Sequence, residues 1–228
     1  PVPLYVARDD SNARQPITTA PQWATHPTKG LMVAFGTGRE MTVADRLTSS
    51  TQSLYAIWDD TLITPGGSPM LTGGSAVSGG RSSLVAQTQT STITINSKKY
   101  FKTSNNAVPY TGAGAKRGWY LDWPTLGERS VNNGGMLSNR LLYMRSRVPA
   151  NGSQDTSTEE SCEPNATNAQ EFLTVLDIVN GNAPTKPVFD TDGGGITGTE
   201  EPGVSRWDAG RTDRLMVKTG KPGELVSL

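Results

Sequence analysis

The chain reads as an all-β protein of the β-propeller class, built from quinoprotein-like blades and partial or modified in outline. Three observations lead there. Short apolar runs recur along the 228 residues without a helical period. Glycine pairs and triplets punctuate them. A strand that ends at an aspartate appears three times, as a repeated blade unit would leave it.

Taken in order, strands are expected at 4–7, 31–35, 53–58, 91–96, 118–123, 141–145, 172–178 and 215–218. Between them lie turn-forming glycines such as Gly66-Gly67, Gly73-Gly74, Gly79-Gly80 and Gly193-Gly194-Gly195. Many short strands at near-regular spacing suit a sandwich, barrel or propeller. Ser53-Leu-Tyr-Ala-Ile-Trp-Asp59, Gly118-Trp-Tyr-Leu-Asp122 and Phe172-Leu-Thr-Val-Leu-Asp177 favour the propeller, because each closes an aromatic or branched strand at an aspartate. At about 40–45 residues per blade, roughly five units would fit, or fewer if the Gly- and Ser-rich insertions are loops. The whole span 1–228 is read as propeller, opening at Pro1-Val-Pro-Leu within a strand, as a piece of a longer chain would.

Composition excludes some functions. Lys+Arg 21 balances Asp+Glu 21, so no net field favours nucleic acid or an anionic membrane. No apolar run reaches spanning length, and no basic-then-apolar leader opens the sequence. Cys162 is the single cysteine, which rules out an internal disulfide or a thiolate cluster, and its acidic neighbours do not activate it. His26, the single histidine, precedes Pro27 in a polar turn and reads as a surface residue. The 151–168 segment, rich in Ser, Thr, Glu and Asn, has little to bury and is expected to be a flexible surface loop. It is either a recognition loop or a dispensable insertion, the second being favoured.

Residues 189–201 carry the sharpest chemical signal. Phe189-Asp-Thr-Asp-Gly-Gly-Gly-Ile-Thr-Gly-Thr-Glu-Glu201 follows a D-x-D-x-x-G-x5-E calcium pattern. Asp190 and Asp192 stand at its first and third positions, Gly194 at the fifth, Gly195 at the turn, the Ile196 carbonyl at the seventh and Glu201 at the twelfth. Gly194 and Gly198 supply no side-chain oxygen, so the expected affinity is modest, about 10⁻⁵ to 10⁻³ M. The same run also describes a flexible polar turn. Flanking Pro184, Pro187, Pro202 and Gly203 break helices, so the loop must hang on strands.

Other motifs point to structure. Gly36-Thr-Gly38-Arg39 lacks a third glycine and a following helix, so it is a strand-end turn rather than a dinucleotide fingerprint. Asp59, Asp60, Asp122 and Glu128 could suggest glycosidase chemistry, but at strand ends they are better placed to hold turn amides. Trp23, Trp58, Trp119, Trp123 and Trp207 are expected mainly to fill space between blades.

Val6-Ala-Arg-Asp9, Gln15-Pro-Ile-Thr18, Leu31-Met-Val-Ala-Phe-Gly-Thr-Gly-Arg39, Thr51-Gln-Ser-Leu-Tyr-Ala-Ile-Trp-Asp59, Ser104-Asn-Asn106, Lys116-Arg-Gly-Trp-Tyr-Leu-Asp122 and Gly127-Glu-Arg129 occur in order. Over about residues 5 to 195 this series resembles the C-terminal propeller of the PilY/PilC family, large proteins of bacterial type IV pilus tips. The resemblance implies a non-enzymatic module of pilus biogenesis, surface adhesion and twitching motility, exported through the periplasm to the extracellular cell surface. Implied partners are minor pilins or the pilus-tip complex and a host or surface receptor, with no nucleic acid and no membrane span. It further implies a calcium loop controlling extension and retraction, falling on Asp190, Asp192, Gly194 and Gly198. Family loops often close with an Asp at the ninth position; here that is Gly198, and Glu200 or Glu201 would have to close a longer loop. The alternative is a propeller enzyme, quinoprotein dehydrogenase-like or glycosidase-like. The absence of a His-rich constellation and of a vicinal Cys pair argues against it.

Overall fold

A computed structural model describes residues 2–149, 170–210, 216–218 and 225–227. In chain order it contains β1 (Gln22–Thr25), β2 (Leu31–Gly36), α1 (Val43–Arg46), β3 (Ser53–Asp59), β4 (Leu62–Ile63), β5 (Leu71–Thr72), β6 (Val85–Gln87), β7 (Gln89–Ile95) and β8 (Lys98–Thr103). There follow β9 (Gly118–Asp122), β10 (Gly135–Met136), β11 (Leu141–Val148), β12 (Gln170–Asp177), β13 (Val204–Gly210), β14 (Met216–Lys218) and β15 (Leu225–Ser227). A 3₁₀ turn at Gly80–Ser83 and the single turn of α1 are the helical elements among the described residues.

Two sheets dominate. The first has the order β1-β2-β3-β9-β6, antiparallel except where β6 runs parallel to β9. The second has the order β10-β11-β12-β13-β8-β7 and is antiparallel throughout. β4 pairs with β5 and β14 with β15 as small separate ribbons.

Strand periodicity explains the layering. Successive side chains point to opposite faces, so Leu54, Ala56 and Trp58 of β3 join one apolar cluster while Tyr55 and Ile57 join another. Both faces are covered, and β3 therefore reads as an unbroken apolar run rather than an alternating one. The larger cluster lies between the sheets. Met32, Leu54, Trp119 and Leu121 of the first meet Leu142, Met144 and Leu176 of the second. Trp119, fully buried, donates its indole N–H to the Ile178 carbonyl at 2.9 Å. Two glycines make this approach possible. Gly118 has φ +133, and a Cβ there would lie 2.0 Å from the Ala56 carbonyl oxygen. Gly181, at φ +72, lets its turn press on the Trp119 ring, where a Cβ would come within 2.6 Å.

Seven of the eight anticipated strands coincide with observed strands, and three readings need correction. Residues 4–7 join no ladder: Leu4 offers only its carbonyl, to the Val77 N–H at 2.7 Å, and Tyr5 packs on Tyr55 with ring centroids 5.4 Å apart. The segment is apolar because it covers the outer face of the first sheet. The aspartate-ended units do not mark one blade each, since β3 and β9 are neighbours in one sheet with Ser53 opposite Asp122. His26 is not a surface residue. It is 6% exposed, stacked on Trp58 at 4.6 Å and edge-on to Tyr110 at 4.5 Å. The turn that looked polar folds back over the end of β3. The 151–168 segment and Cys162 lie outside the described residues.

Candidate functional site

The 189–201 loop leaves the apolar cluster on the outer face of the second sheet, where Phe189 is buried against Tyr100, Leu173 and Val204. Tyr100 donates its hydroxyl to the Asp190 carbonyl at 3.1 Å, and the Asn96 amide reaches the Asp192 carbonyl at 3.2 Å. The β7–β8 hairpin thus anchors the loop by its backbone.

The loop's own amides take up the carboxylates. Asp190 accepts from the Gly193 N–H at 2.7 Å and the Gly195 N–H at 3.1 Å, and Asp192 accepts from Gly194 at 2.8 Å. This is how acidic side chains in a turn hold a glycine-rich backbone without an ion. Glu201 is drawn away to β8, where it meets the Lys102 ammonium at 2.7 Å. Glu200 turns inward in its place. It is 5% exposed and accepts from the Thr197 and Gly198 amides. Burial alone would raise its pKa, but its own amide together with those of Thr197 and Gly198 outweighs burial and holds it below the ordinary carboxylate value. Gly194 is exposed and Ile196 half-buried. Among the described residues no three His, Cys, Asp or Glu side chains are gathered as a metal ion requires. The carboxylates of the motif do not converge in this conformation, so calcium could be held only after rearrangement.

The other carboxylates have structural partners. Asp59 holds the following turn by accepting from the Thr61 N–H and hydroxyl at 3.0 and 2.6 Å. Asp177 does the same for Val179 and Asn180. Asp60 lies between Arg117 and Lys29. Burial raises its pKa, but these two cations lower it further, for a net depression. Asp122 departs from the turn-amide expectation: both of its oxygens meet Arg81, at 2.7 and 2.8 Å, and one also accepts from Ser53. Arg81 also donates to the Arg8 carbonyl and packs 4.4 Å from the Tyr120 ring centroid. Burial opposes its charge, yet Asp122 more than compensates and raises its pKa.

Glu128 forms the most deeply buried pair. It is 1% exposed, and both its oxygens lie 2.7 Å from Nη2 of Arg206, which is 2% exposed. Ser146 also donates to Glu128, and the guanidinium lies 4.0 Å from the Phe172 ring centroid and 5.5 Å from that of Trp123. Trp58, Trp119 and Trp123 fill the inter-sheet core as expected, whereas Trp207 is half-buried in the outer cluster and Trp23 is 64% exposed on the edge strand β1. Sequence reasoning missed Arg81 and Arg206 because their carboxylates lie 41 and 78 residues away. No local pattern marks such pairs.

A family model, the PilY1 beta-propeller domain, matches residues 1–97. The crystal structure of the Pseudomonas aeruginosa PilY1 C-terminal domain superposes with a TM-score of 0.71 and 26% identity, over 99% of this chain and 46% of that one. The chain belongs to the PilY1 β-propeller family. The type IV pilus biogenesis factor PilY1 of P. aeruginosa strain PAO1 is 33% identical over 196 residues, 82% of this chain and 16% of its own length. A PilY1 homologue from Xylella fastidiosa strain Temecula1, also named a type IV pilus biogenesis factor, is 28% identical over 233 residues, 100% of this chain and 13% of its own length. The chain thus spans a small part of these relatives. The two stacked sheets are propeller architecture, as the resemblance implied.

Proposed function

We propose that this chain is a non-enzymatic propeller module of a type IV pilus biogenesis factor, exposed at the cell surface at the pilus tip and engaged with minor pilins or the tip complex. The observation that carries this reading is the superposition of nearly the whole chain on the PilY1 C-terminal domain, joined to the relatives' naming as biogenesis factors. Adhesion to a surface receptor and control of extension and retraction belong to the same proposal. The carboxylates a glycosidase would need support a structural role, since Asp60, Asp122 and Glu128 are each committed to an arginine. No helix among the described residues is long and apolar enough to cross a membrane. The experiment is complementation: a strain deleted for the full-length factor is supplied with an intact copy or one carrying Trp119→Ala, and surface pili are counted. Loss of pili with the variant supports the module's role; full piliation by a copy whose propeller is shown to be unfolded refutes it.

Calcium regulation is the finer part of the proposal. Asp190, Asp192 and the Ile196 carbonyl would take the ion once Glu201 exchanges Lys102 for it, with Gly194 leaving its position to water. Lys102→Ala, which frees Glu201, should then tighten calcium binding in isothermal titration. An absence of heat at millimolar calcium in both the parent and Lys102→Ala proteins would rule out the ion.

A further inference from the structure

The chain carries no net charge, yet one face is strongly basic. Around α1 stand Arg14, Arg39, Arg46, Arg129 and Arg147, with Glu40 and Asp45 as their acidic partners. Glu40 is shared by Arg46 at 3.2 Å and by Arg147, while Asp45 is paired with Arg39 at 2.7 Å. Asp45 is further held by the Met41 and Thr42 amides, so its charge is spent on the turn. Arg129 is 4% exposed and is satisfied by the backbone alone, at the carbonyls of Arg39, Asp45, Thr48 and Gly127. It therefore brings a full positive charge into the site with no carboxylate of its own. Burial presses its pKa below the usual arginine value even though Glu40 and Asp45 oppose that shift.

Of these residues Arg14, Arg39, Asp45 and Arg129 line an open cleft of about 410 Å³, together with Thr48 and Gln52, among others. The Arg14 guanidinium makes no hydrogen bond or ion pair among the described residues. Gln52 is 8% exposed, and its side-chain carbonyl oxygen has no partner among them. The cleft thus offers cationic forks suited to carboxylates and, beside them, a buried acceptor suited to an N–H. Large apolar side chains stand exposed on the chain segments that supply this lining: Met41, Val43 and Leu47 lie between Arg39 and Thr48, and Leu126 lies three residues before Arg129, and they are 74, 62, 66 and 76% exposed. Leu126 adjoins Gly127, where an added Cβ would lie 3.6 Å from the Thr48 carbonyl, so its segment passes beside the end of α1. Arginines on segments that also expose large apolar side chains are the make-up of a protein-binding surface.

We infer that this cleft docks an acidic peptide segment of a partner protein, with carboxylates received by Arg14 and Arg39 over the Arg129 charge and an apolar side chain laid on Leu126 and α1. A bare polyanion such as polyphosphate or a sulfated polysaccharide fits less well, since it has no apolar groups for the exposed Leu126 and α1 side chains. The inference stands on charge complementarity and does not rest on the pilus reading.

The test uses the full chain and a fluorescent peptide alternating Glu with Leu, followed by anisotropy. Binding should weaken as salt is raised, by at least about tenfold in Arg14→Glu, and by a smaller factor in Leu126→Ser. Lys98→Glu, on the exposed β7–β8 turn, should leave it unchanged, and circular dichroism should show each variant folded. If Arg14→Glu proves unfolded, Arg14→Gln takes its place, with loosened binding again expected. Equal binding of a Gln-for-Glu peptide, or unchanged binding in the folded Arg14 variant, overturns the inference. So does tighter binding of polyphosphate or heparin that is indifferent to Leu126→Ser, which would make the cleft a polyanion site.

Discussion

The inter-sheet core and the 189–201 loop both invest in acidic side chains, and they use them in opposite ways. Glu128 is sealed between sheets and balanced by one distant cation, Arg206. Asp190 and Asp192 lie beside solvent and are balanced by amides two to five residues away. A buried charge must have its partner in place or the fold pays the desolvation, whereas a loop carboxylate can exchange one set of donors for another at small cost. The core therefore defines one arrangement, whereas the loop's carboxylates can exchange their donors.

The largest effects should come from breaking the core. Arg206→Ala strands Glu128 without a counter-charge and should lower unfolding free energy by about 3–5 kcal/mol in a denaturant titration. Glu128→Gln combined with Arg206→Met should lose less than Arg206→Ala alone. A double variant as unstable as the single would mean the pair is not the balanced unit described. Trp119→Ala, which opens the inter-sheet core and removes the bond to Ile178, should cost about 3–5 kcal/mol by the same assay.

The intermediate case is His26, a titratable group with one foot in the core. Burial, and then the nearby Arg140 charge, lowers its folded pKa below the ordinary value. The unfolded chain thus binds a proton that the native state refuses, so this contribution is fully present above about pH 6.5 and is lost as pH falls from there through the folded pKa. A single such group can change stability by at most about 1.4 kcal/mol per pH unit. His26→Phe keeps a ring against Trp58 and should flatten that part of the pH profile. A variant profile parallel to the parent's between pH 6.5 and 5 would show that His26 contributes nothing there.

The smallest effect belongs to the loop. Without calcium, Asp190→Ala removes two exposed amide bonds and should cost about 1 kcal/mol or less. The crowding of carboxylates alone would have made that change neutral, but the structure shows Asp190 serving Gly193 and Gly195. With millimolar calcium the parent should gain melting temperature and Asp190→Ala should not. An equal gain in both would place any bound ion elsewhere.

What was legible in the sequence follows the same division. Strands such as β3 and β12 announce themselves through branched and aromatic runs, and the 189–201 turn through its Asp and Gly spacing, because both are local facts. β13 was missed because Val204-Ser-Arg-Trp-Asp-Ala-Gly210 places a charged arginine where the inter-sheet core required a cation, which breaks the apolar pattern. β8 was missed for a similar reason, as Lys98-Lys99 and Lys102 flank two buried aromatics. His26 looked exposed because its neighbours in sequence are polar, while its neighbours in space are Trp58 and Tyr110. The destination of Glu201 could not be read either, since its lysine lies 99 residues away.

Native-state hydrogen exchange with and without calcium addresses the contrast between frame and loop most directly. The amides of Leu54, Trp119 and Leu176, in the inter-sheet core, should exchange only through global unfolding and be indifferent to the ion. Those of Gly193, Gly195 and Gly198 should exchange fast without calcium and slow by at least about tenfold with it. Loop amides as protected as the core in the absence of calcium, or core amides that respond to calcium as strongly as the loop, would contradict the account.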